Sequence, residues 1–148
     1  MIRSRRSARE LVLRALYAIE LSGSNATEIL KDPLIIKRIG GPLFEFSKEL
    51  LEKTYANHKE FDSYIKAKAL NWEFDRLAIL DKLVLRMALC EFLYFEDIPP
   101  KVSIDEAIEV TRKYSTEKSD KFVNGILDAV LSDLQQTGKI VKKGRGLL

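Results

Sequence analysis

One cysteine and one histidine occur in 148 residues. Cys90 has no partner for an internal disulfide, which suits a reducing compartment. With His58 as the one histidine, neither a histidine-based metal cluster nor a CxxC site can be assembled. The chain lacks a GxxxxGK[ST] phosphate loop and a GxGxxG turn. It also lacks any run of 18 apolar residues and any charged-then-apolar leader, so a cytoplasmic protein without a membrane span is expected. Period-two alternation is never sustained and no βαβ pattern appears. Carboxylates are plentiful, but at spacings typical of ion pairs on exposed helix faces. These gaps argue against an enzyme and against a bound cofactor or metal. His58 reads as a surface or helix-junction residue and Cys90 as a small core hydrophobe.

What is present is enough apolar material for burial, 46%, and enough charge for a solvated surface, 32%. The length suits one domain or two small subdomains. Net charge is only +3, but it is unevenly placed. Five arginines against Glu10 give residues 1–16 a balance of +4. Lys139, Lys142, Lys143 and Arg145 give residues 139–148 another +4, which leaves −5 for the rest. Basic ends on an acidic body are the footprint of a surface that meets a polyanion.

The N-terminal segment carries the clearest signal. Ala8, Leu11, Val12, Ala15, Leu16 and Ile19 follow i, i+3, i+4, i+7, i+8, i+11, one apolar stripe of a helix. Ser7 with Glu10 reads as a capping box, which predicts a helix start near Ser7. Arg3, Arg5, Arg6 and Arg9 then crowd the positive end of the helix dipole, where exposed cations are unfavourable by about 0.3–1 kcal/mol each. An anionic partner accounts for them, because helix N–H groups and guanidinium forks together suit phosphate oxygens.

Along the chain, Ser22-Gly23-Ser24-Asn25 predicts a loop, and Pro33 a break followed by a short helix. Leu43 to about Leu70 reads as two helices broken near Asn57-His58. Asn71-Trp72-Glu73-Phe74 is the candidate subdomain boundary. Asp75 to Phe95 is apolar nearly all round and is expected to be the central buried helix. Asp97-Ile98-Pro99-Pro100 stops it. Ser103-Ile104-Asp105-Glu106 reads as a second capping box, opening a helix to about Tyr114. Ser119 is the expected cap of a last helix through about Gln136, ended by Gly138. The fold class is therefore all-α, about seven helices in two subdomains, residues 1–70 and 71–138, with residues 139–148 a mobile basic tail.

Base reading by single-stranded RNA binders uses aromatic planes, arginine planes and polar edges. Tyr17 is off the centre of the apolar stripe and reads equally as a core-edge tyrosine or an exposed plane. Phe122, beside Lys118 and Lys121, is a core cap or a stacking plane. Asn124 is a packing residue or a base-edge reader. Gly125, inside a helix at a cost of about 1 kcal/mol, is expected to permit close helix approach.

Four blocks resemble the NusB family of bacterial transcription antitermination proteins. They are Arg5-Arg6-Ser7-Ala8-Arg9-Glu10 with Ala15-Leu16-Tyr17, Leu85-Arg86-Met87-Ala88-Leu89-Cys90-Glu91-Phe92, Ile98 to Glu109, and Asp120 to Asp128. They stand in family order and span nearly the whole chain. The resemblance implies two packed helical bundles that bind boxA-type single-stranded RNA of ribosomal RNA operon leaders. It also implies a complex with the ribosomal protein NusE, acting on elongating RNA polymerase together with other Nus factors. On the family pattern, RNA contacts fall on Arg3, Arg5, Arg6 and Arg9 and on Tyr17, Asp81 and Phe122. Ser7, Glu10, Lys121 and Asn124 from the same blocks complete the candidate RNA set. Asp81 departs from the glutamate expected there, and its carboxylate reaches less far. Cys90 stands where tyrosine is frequent, a core-packing difference. The NusE face is expected on the C-terminal subdomain, at Arg76, Tyr94, Glu96, Pro99 and Lys101. The sequence leaves self-association open: a homodimer that buries the arginine segment would mask the RNA site. The alternative is a protein–protein adaptor or self-associating module whose arginines meet acidic protein surfaces. NusB-like domains also occur fused to RNA methyltransferases, a third reading that is not expected here, since the 148 residues contain no glycine-rich catalytic stretch.

Overall fold

The computed structural model describes residues 4–33, 35, 41–70, 73–116 and 118–148. Among these, seven α-helices are bounded and no strand occurs. They are α1 (Arg5–Ser22), α2 (Ala26–Leu30), α3 (Leu43–Ala56), α4 (His58–Lys68), α5 (Ile79–Tyr94), α6 (Pro100–Tyr114) and α7 (Ser119–Gln136). The short helix expected after Pro33 and the Asn71-Trp72 junction fall on residues outside the described set. Contacts group the chain as residues 1–56 and residues 57–148. The sequence reading places the boundary some fourteen residues later, between residues 70 and 71. Helix α4 packs on α5 and α7, so it is grouped with the second unit.

In the first unit α1 packs on α2 and α3. Its predicted stripe is buried, and so is Leu13, which lies off it, so the covered arc is wider than the periodicity suggested. The cap is corrected: the helix starts at Arg5, and Ser4, in extended conformation, accepts from the Ser7 amide at 3.1 Å. Ser7 is thus inside the first turn and Ser4 closes it.

In the second unit α5 is the central helix, as its composition required. Leu83, Val84, Leu85, Met87, Ala88, Leu89, Cys90 and Phe92 are all buried, against α4, α6 and α7. The break at Asn57 and the span of α7 agree with the sequence reading. The second capping box does not form. Helix α6 starts at Pro100, whose fixed φ suits the first helical position. Ser103 lies within the helix, and its buried hydroxyl donates to Glu91 Oε1 of α5 at 2.8 Å. The cap proposed for α7 is also corrected. Ser119 opens the helix, but Lys118 is the cap residue, and the Ser119 hydroxyl is turned to another partner described below.

The predicted role of Gly125 is corrected too: a β-carbon added there would meet nothing within 4 Å. Gly125→Ala is therefore expected to stabilise the chain by about 1 kcal/mol through helix propensity. Thermal melting should show a rise of about 2–4 °C. An unchanged or lowered midpoint would mean that Gly125 has a packing role after all.

The tail expected to be mobile is instead docked on the second unit. Lys142 Nζ donates to the carbonyls of Glu91 at 2.9 Å and Phe95 at 2.6 Å, satisfying the C-terminal end of α5. The Lys143 amide donates to Glu96 O at 3.0 Å, and Gly144–Leu147 closes as a 3₁₀ turn. Burial pushes the Lys142 pKa down, while Glu91, Asp97 and Glu96 pull it partly back. The docking uses lysine side chains (Lys142 on the helix carbonyls, Lys143 on Glu96, Lys139 on the Tyr64 hydroxyl) and backbone groups, so no hydrophobic period announces it. Gly146 sets the register, since a β-carbon there would sit 1.9 Å from Glu96 O. Gly146→Ala is expected to release the segment. Limited trypsinolysis at Lys142, Lys143 and Arg145 should accelerate about tenfold, equivalent to about 1.4 kcal/mol of local stability, with helix content unchanged. Equal cleavage of both proteins would refute that role.

Candidate nucleic-acid interface

The first unit presents its cations from α1. Ser4 caps the helix, so Arg5 and Arg6 occupy the first two helical positions, and both are exposed. That places two guanidinium groups at the positive end of the dipole, where they gain nothing from the helix. Arg3 lies outside the described residues. Arg5 lies 4.7 Å from the ring centroid of Phe46 on α3. Arg9 differs from both. It is 5% exposed, with its guanidinium 5.4 Å from the same ring, so it packs α1 against α3. Ser7 and Glu10 are half-buried, and Tyr17 is 38% exposed.

In the second unit the predicted residues separate. Asp81, in the first turn of α5, is buried. Its Oδ1 accepts from the Ser115 hydroxyl at 2.9 Å and its Oδ2 from the Ser119 hydroxyl at 2.9 Å. It therefore anchors the α6–α7 connection and the start of α7, where Lys121 is exposed and Phe122 half-buried. Asp81 holds Lys121 and Phe122 in place instead of facing solvent. Asn124 points elsewhere, into an open cavity of about 940 Å³ that it lines with Pro99, Lys101, Asp105 and the docked tail.

The predicted partner residues are also divided. Tyr94, half-buried, donates weakly to Glu60 at 3.4 Å and meets Phe61 edge-on with centroids 6.1 Å apart. Burial beside Glu60 raises the tyrosine pKa. Glu96 is exposed and pairs with Lys143 at 3.6 Å, while Pro99 caps α6 and Lys101 is exposed in its first turn. Arg76 is 82% exposed and pairs with Glu73. It precedes α5, whereas Tyr94 ends that helix and Glu96, Pro99 and Lys101 follow it. The 16-residue helix sets them about 24 Å apart.

Sequence reasoning missed Phe74. Its ring is flanked by Lys66 Nζ at 4.9 Å and Lys82 Nζ at 4.7 Å. The three residues sit on different elements, so only the aromatic cluster at the junction hinted at it.

Among the described residues no helix is long and apolar enough to cross a membrane. Comparison with known proteins bears on the same elements. The NusB family model matches residues 6–132. The transcription antitermination protein NusB of Salinibacter ruber is 44% identical over 146 residues, covering 98% of this chain and 91% of that one. The solved NusB of T. maritima superposes with a TM-score of 0.81 at 35% identity, covering 90% of this chain and 94% of that chain. A crystal structure of the antitermination factors NusB and NusE in complex with double-stranded RNA matches with a TM-score of 0.77 at 27% identity, covering 90% of this chain and 99% of that chain.

Proposed function

The chain belongs to the NusB family, and from that premise we propose that it is a transcription antitermination factor. It binds boxA-type RNA together with NusE and holds that RNA to elongating RNA polymerase with other Nus factors, in the cytoplasm. The observation that carries this reading is the pair Arg5 and Arg6, exposed on the first turn of a helix whose dipole disfavours them. Arg5 and Arg6 contact phosphates, and Tyr17 offers a plane for a base. In the second unit Lys121 and Phe122 repeat that pair of chemistries, a cation beside a ring. Asp81 acts from behind them through Ser115 and Ser119. Neutralising phosphate, stacking bases and presenting a joint surface require no covalent step, so the protein is a binding factor and not an enzyme. Tyr94, Glu96, Pro99 and Lys101, at the end of α5 and the start of α6, are the proposed NusE face; Arg76 stands too far from them to belong to the same patch.

The test is a titration of fluorescein-labelled boxA RNA, a scrambled strand of equal length and a duplex of the same sequence, with and without NusE, at two salt concentrations. The single strand should be preferred, more weakly at high salt. NusE should tighten binding by about 5–150-fold, the usual range of coupling between two sites. Equal, purely salt-driven binding to all three RNAs, indifferent to NusE, would put the adaptor reading ahead.

A further inference from the structure

On α1 the residues Arg6, Glu10 and Arg14 are spaced i, i+4, i+8, and Tyr17 and Leu21 continue the row at i+11 and i+15. These residues lie within a narrow arc of the helix, opposite the buried stripe. Arg6 and Arg14 are exposed, as are Tyr17 and Leu21, the latter at 64%. A large exposed aliphatic side chain one turn beyond an exposed tyrosine makes an apolar shelf at the end of a row that begins with cations. Arg6 and Arg14 are about 12 Å apart along the axis, and Tyr17 lies about 4.5 Å further on.

We infer that this row is a single-stranded RNA track and that Arg14 is a phosphate-gripping residue of it. The inference rests on the RNA-binding reading above and extends it to a residue that the four family-like blocks do not single out. Arg6 holds the strand at the helix start. Arg14 grips the backbone next to the base that stacks on Tyr17, and Leu21 covers the far edge of that base. Glu10, one turn from each of the two arginines on the same row, keeps the track from being uniformly cationic. The forked guanidinium of Arg14 suits a phosphate in two-point contact, which lysine reproduces only in charge.

The experiment is fluorescence anisotropy of the labelled boxA strand with the full chain at four salt concentrations. It compares wild type, Arg14→Gln, Arg14→Lys and Leu21→Ser. Arg14 is exposed, so circular dichroism melts should be unchanged and folding is not in question. Arg14→Gln should weaken binding about tenfold at low salt and lower the slope of log K against log salt by about 0.7, one single-strand phosphate contact. Arg14→Lys should keep the slope and lose part of the affinity. Leu21→Ser should weaken binding with the slope unchanged. If wild type binds boxA while Arg14→Gln matches it in affinity and slope, the track is refuted and the parent reading stands. If wild type binds none of the RNAs, both fall together.

Discussion

Asp62→Ala is expected to cost about 3–5 kcal/mol, as much as truncating a core phenylalanine. Asp62 on α4 accepts from Arg86 on α5 in a two-point fork, Nε to Oδ1 at 2.7 Å and Nη2 to Oδ2 at 2.9 Å. The two side chains are 13% and 11% exposed. Removing the carboxylate leaves a guanidinium that cannot discharge by losing its proton, in a place that water barely reaches. The penalty is that of breaking a buried, forked ion pair by removing one partner, well above the worth of a surface ion pair. At about 2–4 °C per kcal/mol for a chain of this length, the melting midpoint should fall by on the order of 10 °C. Replacing both partners with apolar residues, Asp62→Leu with Arg86→Met, should recover most of the loss, because the double variant buries no charge. Urea melts of wild type, Asp62→Leu, Arg86→Met and the double variant complete the cycle. A loss below about 1 kcal/mol for Asp62→Ala would show that water reaches Arg86 and that the pair is a surface pair in effect.

This pair also shows what the sequence makes legible. That α4 and α5 are helices, and that α5 is central, follows from local pattern, because an all-round apolar run has nowhere to go but a core. Which charges on their surfaces meet is not local: Arg86 and Asp62 are 24 residues apart. The same limit explains the misread serines. Ser103 and Ser119 each have the spacing or position of a cap, but their hydroxyls are taken by Glu91 and Asp81, 12 and 38 residues away. A short side chain at a helix start has several uses for its hydroxyl, and only the fold chooses among them. The tail is misread for a related reason. Its docking is carried by Lys142 on helix carbonyls and by the absence of a side chain at Gly146, neither of which has a period. The candidate site divides in the same way. The density of arginines at the N-terminus was legible as a reason to expect a polyanion, but not which arginines are spent on packing, since Phe46 comes from α3.

That division leads to the second large effect. Arg6→Ala and Arg9→Ala should fail in opposite assays. Arg9 is buried with its guanidinium over Phe46, itself buried. A desolvated cation–π contact is worth about 2 kcal/mol or more, and the aliphatic stem of the arginine adds packing. Arg9→Ala should therefore lower stability by about 2–3 kcal/mol. Arg9→Lys should restore only part, because a compact ammonium on a flexible stem does not reproduce a planar group lying on a ring. Below the midpoint of unfolding, the folded Arg9→Ala fraction should still bind boxA RNA with near wild-type affinity. Arg6 is exposed at the second position of α1. Its removal takes one cation from the positive end of the dipole, so stability should hold or rise by about 0.3–1 kcal/mol. RNA affinity should instead fall about tenfold, or about 1.4 kcal/mol, with the salt slope reduced by about 0.7. Urea melts and anisotropy titrations on the same four proteins, Arg6→Ala, Arg9→Ala, Arg9→Lys and wild type, separate the two roles. If Arg9→Ala melts like wild type and binds RNA poorly, Arg9 belongs to the RNA surface and its contact with Phe46 opens when RNA arrives. If both substitutions lower stability and neither touches RNA affinity, the arginines at the start of α1 are structural, and the anion they suit must be bound elsewhere.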